Sequence, residues 1–123
     1  SEDNATLNDL KVNVIDDYWV DLRVDDVLIG VAQFKPMFSQ CYDSHIHILP
    51  KFRKAHSIES GEALLSWCGG NISGSLLYTT IPVFCQNVIN FLESFSFDQS
   101  GVIPNGWKKN GKQNDMIILT KGV

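Results

Sequence analysis

Two features common in proteins are missing from this sequence: paired cysteines and long apolar runs. Each absence removes a class of function. No apolar run approaches the roughly 20 residues of a membrane-spanning helix, and no signal peptide opens the chain. The expectation is a cytoplasmic protein with no membrane partner. Cys41, Cys68 and Cys85 are odd in number and form no CxxC pair. That argues against a disulfide framework or a zinc knuckle and for reduced thiols. Basic residues are scarce: 10 Lys and Arg against 14 Asp and Glu give a net charge of −4. A broad nucleic-acid face is therefore disfavoured. The sequons Asn4-Ala5-Thr6 and Asn71-Ile72-Ser73 carry no weight without a secretion signal. The chain opens at Ser1 rather than Met, so a trimmed or processed product is expected, with something in front of it.

What remains is ordinary globular material. The 123 residues are 44% hydrophobic and 20% charged, enough for one domain, 1–123, with its own core. Residues 1–14 are polar and weakly patterned, with room for one short helix. Tyr18 to Val24 alternates apolar and polar, which predicts a half-buried strand. Asp25-Asp26 predicts a tight turn and Val27 to Phe34 a second strand, ended by Pro36, so the pair reads as a hairpin. Gly30 within it predicts a bulge or a close backbone approach. Tyr42 to Leu49 predicts a third strand, stopped by Pro50.

Ser57 to Cys68 predicts a helix with Ser57 as N-cap and Gly69-Gly70 as terminator. Its buried face is expected to carry Ile58, Gly61, Leu65 and Cys68, with Leu64 beside them. Leu76 to Ile81 predicts a strand closed by Pro82. Val83 to Phe95 predicts a helix with Val88, Phe91, Leu92 and Phe95 buried. Gly101–Lys109 and Lys112–Thr120 predict a last hairpin around Asn110-Gly111, a pair suited to a type I′ turn. The fold class is α/β. The sheet is mixed and mostly antiparallel with helices on both faces, and Tyr42–Leu49 and Leu76–Ile81 form a central parallel pair.

The segment with most chemical content is His45-Ile46-His47-Ile48-Leu49-Pro50-Lys51-Phe52-Arg53-Lys54-Ala55-His56-Ser57. Lys51, Arg53 and Lys54 gather in one short loop of an acidic chain. Basic side chains beside a helix N-terminus make a site for a diphosphate. A solvated basic loop capping a helix is the competing reading. Glu59 in the expected first turn favours the latter, because a carboxylate there complements the helix dipole.

At these residues a family resemblance appears. HIHILPKFRKAHSIESGEALLSW resembles the cofactor-binding motif of the GNAT superfamily of N-acetyltransferases. IPVFCQNVINFLESFSFDQSGV resembles its next strand and helix, and GWKKNGKQNDMIILTK its closing hairpin. The resemblance covers roughly residues 18–121 and in its spacing is strongest to small phage-encoded members. It implies acetyl-CoA as co-substrate, with pantetheine along Tyr42–Leu49 near Ile48 and Leu49. It places pyrophosphate on backbone donors from Arg53, Lys54, Ala55, His56, Ser57 and Ile58. An amine or protein acceptor attacks the thioester while a base takes its proton. The family's glycines are absent from residues 53–58, its helix Tyr falls on or near Leu92, its Gly-Phe becomes Ser96-Phe97, and the Asn at that helix start corresponds to Cys85. In family members a first strand and helices precede the hairpin and shape the acceptor groove; here that part is expected to be shortened or missing.

Other residues fit subsidiary roles. His45 and His47 share a strand face, where an imidazole can act as base; exposed strand histidines or a two-His metal site are the alternatives. Asp115 on the last hairpin is a candidate for the acceptor side, and Asn87 and Asn90 for cofactor contact. Cys85 at a helix start is a weaker candidate nucleophile. Trp19 and Trp67 read as core, and Trp107 beside Lys108-Lys109 as a contact surface. The functional expectation is N-acetyl transfer, phage-encoded and acting in the host cytoplasm. The alternative is an inactive phage protein with the same fold that binds a virion or host protein.

Overall fold

The computed structural model describes residues 6–12 and 17–123. The chain divides into two compact units, residues 1–75 with Val123, and residues 76–122.

The first unit is an antiparallel meander of β1 (Thr6–Val12), β2 (Tyr18–Val24), β3 (Val27–Phe38) and β4 (Cys41–Ile48), followed by α1 (Pro50–Asn71). β1 is a strand where a short helix was expected; the rest of that expectation falls on residues 1–5 and 13–14, outside the described ones. The register explains the misreading. A shift between Leu7 and Asp9 leaves Asn8 extra, and brings Leu7, Leu10 and Val12 opposite Leu22, Val20 and Tyr18. A three-residue apolar spacing thus serves a strand.

The β2–β3 hairpin forms as expected, with Asp25 and Asp26 at φ of 50 and 66. β3 does not stop at Pro36. Tyr18 pairs with Phe34 at the start of β2, so beyond that point, among the described residues, β3 pairs with β4 alone. A residue without N–H is tolerated there. Gly30 combines both expected roles. The β2–β3 register shifts beside it, and an added Cβ would lie 2.5 Å from the His47 carbonyl oxygen.

α1 begins at Pro50, not Ser57, and passes through Gly69-Gly70 to Asn71. Proline suits the first helical turn, where its missing N–H costs nothing. The same residue stops the strand, so strand end and helix start coincide. The buried stripe is Ser60, Leu64 and Cys68, continued by Ile72. Ile58, expected inside, is 66% exposed. Tyr18, Val20 and Leu22 alternate along β2 with Ala32 and Phe34 opposite them, forming the sheet's apolar face. Trp67 of α1 stacks on Phe34 at 5.2 Å and meets the Tyr18 ring edge-on at 5.7 Å. Full burial of Val20, Leu22 and Phe34 contributes about 1.5–3 kcal/mol each.

The second unit holds β5 (Leu76–Pro82), α2 (Gln86–Ser94), β6 (Asp98–Lys109) and β7 (Lys112–Gly122). β7 lies between β5 and β6, antiparallel to both. Asn110 and Gly111 take φ of 53 and 76, as a type I′ turn requires. α2 is shorter than expected, because Pro82 to Cys85 is a turn, with the Cys85 N–H donating to the Pro82 carbonyl. Ile89 is the buried residue of α2, while Val88, expected inside, is 44% exposed. No described helix is long and apolar enough to cross a membrane.

Candidate functional site

The β4–α1 junction carries the basic segment, and its helical start redefines the available donors. Four N–H groups at a helix N-terminus have no intrahelical acceptor. Here the Leu49 N–H donates to the Ile29 carbonyl at 2.8 Å, and the Phe52 N–H to the Leu49 carbonyl at 2.9 Å. Pro50 has no N–H. The Lys51 N–H is the group left at this end. Residues 54–58, expected to offer backbone donors from a loop, lie inside the helix. Ser57 is no N-cap: its hydroxyl donates back to the Arg53 carbonyl one turn earlier. Glu59 likewise lies beyond the first turn and pairs with the His56 ring.

Arg53 is exposed, and its Nε donates to the Ile48 carbonyl at 2.9 Å, tying the end of β4 to α1. Lys54, Ala55 and Ile58 are exposed, and His56 and Ser57 half-buried. Ile48 is buried and Leu49 is 38% exposed. Lys51 Nζ lies 5.2 Å from the Phe52 ring centroid. Lys51 and Phe52 open the helix rather than lying in a loop, and the proline before them is the sequence signal for it.

His45 and His47 are both exposed on β4. They alternate with Ile46 and Ile48 and share a face with Asp43. His45 Nε2 lies 3.1 Å from Asp43 Oδ2. Across the ladder they face Gln33 and Val31, and the Gln33 amide donates to Asp17 at 2.9 Å. This face is mostly polar, whereas the opposite one carries buried Ile48 with Ala32 and Phe34 across the ladder. Five residues, 13–17, join β1 to β2.

The remaining candidates lie in the second unit. Asn87 and Asn90 are exposed on α2, and Asn90 Oδ1 accepts from the Gln86 amide at 2.9 Å. Asp115 Oδ1 accepts from the Asn105 backbone N–H at 3.0 Å, anchoring a bulge in β6 between Ile103 and Trp107. Cys85 is half-exposed at the N-cap of α2. Leu92 is half-buried, and its carbonyl accepts from Phe95 and Phe97. Ser96 takes φ 68, the left-handed position that closes a Schellman motif: its N–H donates to the Glu93 carbonyl and that of Phe97 to Leu92. The serine thus holds a position that glycine most often takes. Among the described residues, no group of three His, Cys, Asp or Glu is placed to hold a metal.

Burial controls the thiols. It pushes the Cys68 thiol up to about 12, and raises that of Cys41 as well, with the Asp43 carboxylate adding to the effect. Neither is a nucleophile in the folded protein.

This arrangement belongs to a known class of architecture. The chain has the mixed, mostly antiparallel α/β fold of the GNAT acetyltransferases, with one parallel strand pair. Among solved structures it is similar to the spermidine/spermine N-acetyltransferase SpeG of Vibrio cholerae, with a TM-score of 0.76 and 14% identity over 85% of this chain and 66% of that one. It is also similar to the ribosomal-protein alpha-N-acetyltransferase RimL in complex with coenzyme A, with a TM-score of 0.72 and 13% identity over 87% of this chain and 62% of that one. A GNAT-family acetyltransferase of Bacillus anthracis aligns at a TM-score of 0.68 and 16% identity, over 85% of this chain and 64% of its own. The chain therefore spans just under two thirds of these neighbours. No family model and no curated protein matches the sequence.

Proposed function

We propose that this protein is an N-acetyltransferase that moves an acetyl group from acetyl-CoA to an amine acceptor, and that it is phage-encoded and works in the host cytoplasm. The observation that carries the reading is the basic β4–α1 junction set in an acetyltransferase fold. Lys51, Arg53 and Lys54 bring three cations to the first turn of α1, and the Lys51 N–H supplies a backbone donor beside them. In charge and donor chemistry they fit a diphosphate. Ile48 and Leu49 at the strand end border the pantetheine. Ala55, His56, Ser57 and Ile58 line the next turn, and Asn87 and Asn90 serve as further cofactor contacts.

The co-substrate supplies a reactive thioester. The amine nitrogen forms a bond to its carbonyl carbon, the carbon–sulfur bond breaks, and the electron pair leaves on sulfur. A thiol is far more acidic than an alcohol and is a good leaving group near neutral pH, so a Leu in place of a Tyr acid is tolerable. Removing the amine proton is the harder requirement. His47 is the proposed base, with His45, oriented by Asp43, and Asp115 as the other candidates.

A second reading is favoured by one contact. The Arg53 Nε already satisfies the Ile48 carbonyl, which suits a fold kept as a virion-associated or host-protein-binding module. Calorimetric titration with acetyl-CoA separates the two. The transferase binds, and Lys51→Glu/Lys54→Glu weakens binding by at least about tenfold. A flat titration at millimolar acetyl-CoA removes the transferase reading and leaves the module.

A further inference from the structure

Two hairpin tips of this chain carry opposite charge and exposed apolar side chains. The β2–β3 tip presents Asp25 and Asp26, both exposed. Val27 and Leu28 beside them are 51% and 44% exposed. Arg23 is engaged locally, with one guanidinium nitrogen 3.3 Å from the Asp26 carbonyl oxygen and another 3.6 Å from Asp21. Among the described residues no ion pair uses the carboxylates of Asp25 or Asp26.

The β6–β7 tip presents Lys108, Lys109 and Lys112, all exposed, and residues 101–114 contain no acidic side chain. Lys109 Nζ lies 4.3 Å from the Phe84 ring centroid. Phe84 and Trp107 are 40% and 47% exposed. In a chain of net charge −4, this concentration of lysine beside two partly exposed aromatic rings calls for an acidic, partly apolar partner.

We propose that the partner is a second copy of this chain: the lysine tip of one copy docks on the aspartate tip of the next. Lysine ammonium groups meet the Asp25 and Asp26 carboxylates. Trp107 and Phe84 cover Val27 and Leu28, and keep water from the ion pairs. A contact between two hairpin tips falls in the small class, below about 1,200 Å², which charge steers and salt weakens. It is heterologous, since different patches meet, so each copy keeps one unused tip and association runs past the dimer unless a ring closes. The inference is independent of acetyl transfer.

Sedimentation velocity on the full chain tests it, over a concentration series at about 50 mM and about 500 mM salt. The wild type associates at low salt, and high salt raises the dissociation constant about tenfold. Two variants remove one tip each. Asp25→Asn/Asp26→Asn keeps a residue type that tolerates positive φ, and Lys108→Glu/Lys112→Glu leaves Lys109 on Phe84. Each alone is monomeric where the wild type associates. Mixed, they form a one-to-one dimer and nothing larger, because each supplies the tip the other lacks. A wild type that stays monomeric at low salt overturns the proposal, as does a mixture that stays monomeric. Binding of an acidic peptide to the lysine tip without self-association also overturns it, and points to a foreign partner. The salt dependence of the wild type decides the question if a variant fails to fold.

Discussion

Helix α1 is tied down along its length, whereas α2 is tied down at its end. The first has 22 residues, an aromatic clamp through Trp67, Phe34 and Tyr18, and a stripe of buried residues from Ser60 to Cys68. The second has nine residues, one buried side chain in Ile89, and a Schellman motif closed by a non-glycine residue. Neither helix has a side chain capping its N-terminus. Side-chain burial thus holds the longer helix, and local backbone bonding carries much of the shorter one.

The comparison breaks first at Trp67. Trp67→Ala removes the stacking partner of Phe34 and costs about 3 kcal/mol, read as a lower denaturant midpoint. If α1 were held by its caps, the midpoint would barely move. Ile89→Ala costs about 2 kcal/mol, but locally: amide exchange in α2 accelerates while that in α1 stays protected. Equal acceleration in both helices would erase the distinction.

The Cys68 thiol sharpens the picture through pH. Its folded pKa is raised above the ordinary value of 9.0 to about 12, because burial disfavours the thiolate. Above pH 9 the unfolded chain gives up this proton while the folded chain keeps it. The contribution is therefore fully present below pH 9 and is lost as pH rises toward 12. Cys68→Ala should flatten the fall in melting temperature over that window; an unchanged slope would show that other groups cause it. The smallest effect expected is Ser96→Gly. It relieves a left-handed residue and stabilises the second unit by about 1 kcal/mol in a thermal melt.

The hairpins were legible because turn chemistry is local: Asp25-Asp26 and Asn110-Gly111 announce positive φ without reference to anything distant. Gly30 was legible for the same reason. Helix boundaries were less so. Pro50 works equally well as a strand terminator and as a first helical residue, and Ser57 resembles an N-cap until its hydroxyl is found bonding backwards. The buried face of α1 was misjudged because its stripe includes Ser60, a polar residue whose hydroxyl lies buried without a partner. Strand β1 was hidden by a bulge that breaks the two-residue alternation. Of the candidate site, the basic cluster and the two histidines were visible as residues. The donors actually left open at the helix start depended on where that start fell.

Gly30 has a consequence beyond its own strand. A methyl group there would meet the main chain of His47 and Ile48, which leads directly into Pro50. Position 30 is therefore a spot where two strands touch with no side chain to cushion them. A saturation library at this codon should return a single letter, and any survivor should show its damage at the far end of β4.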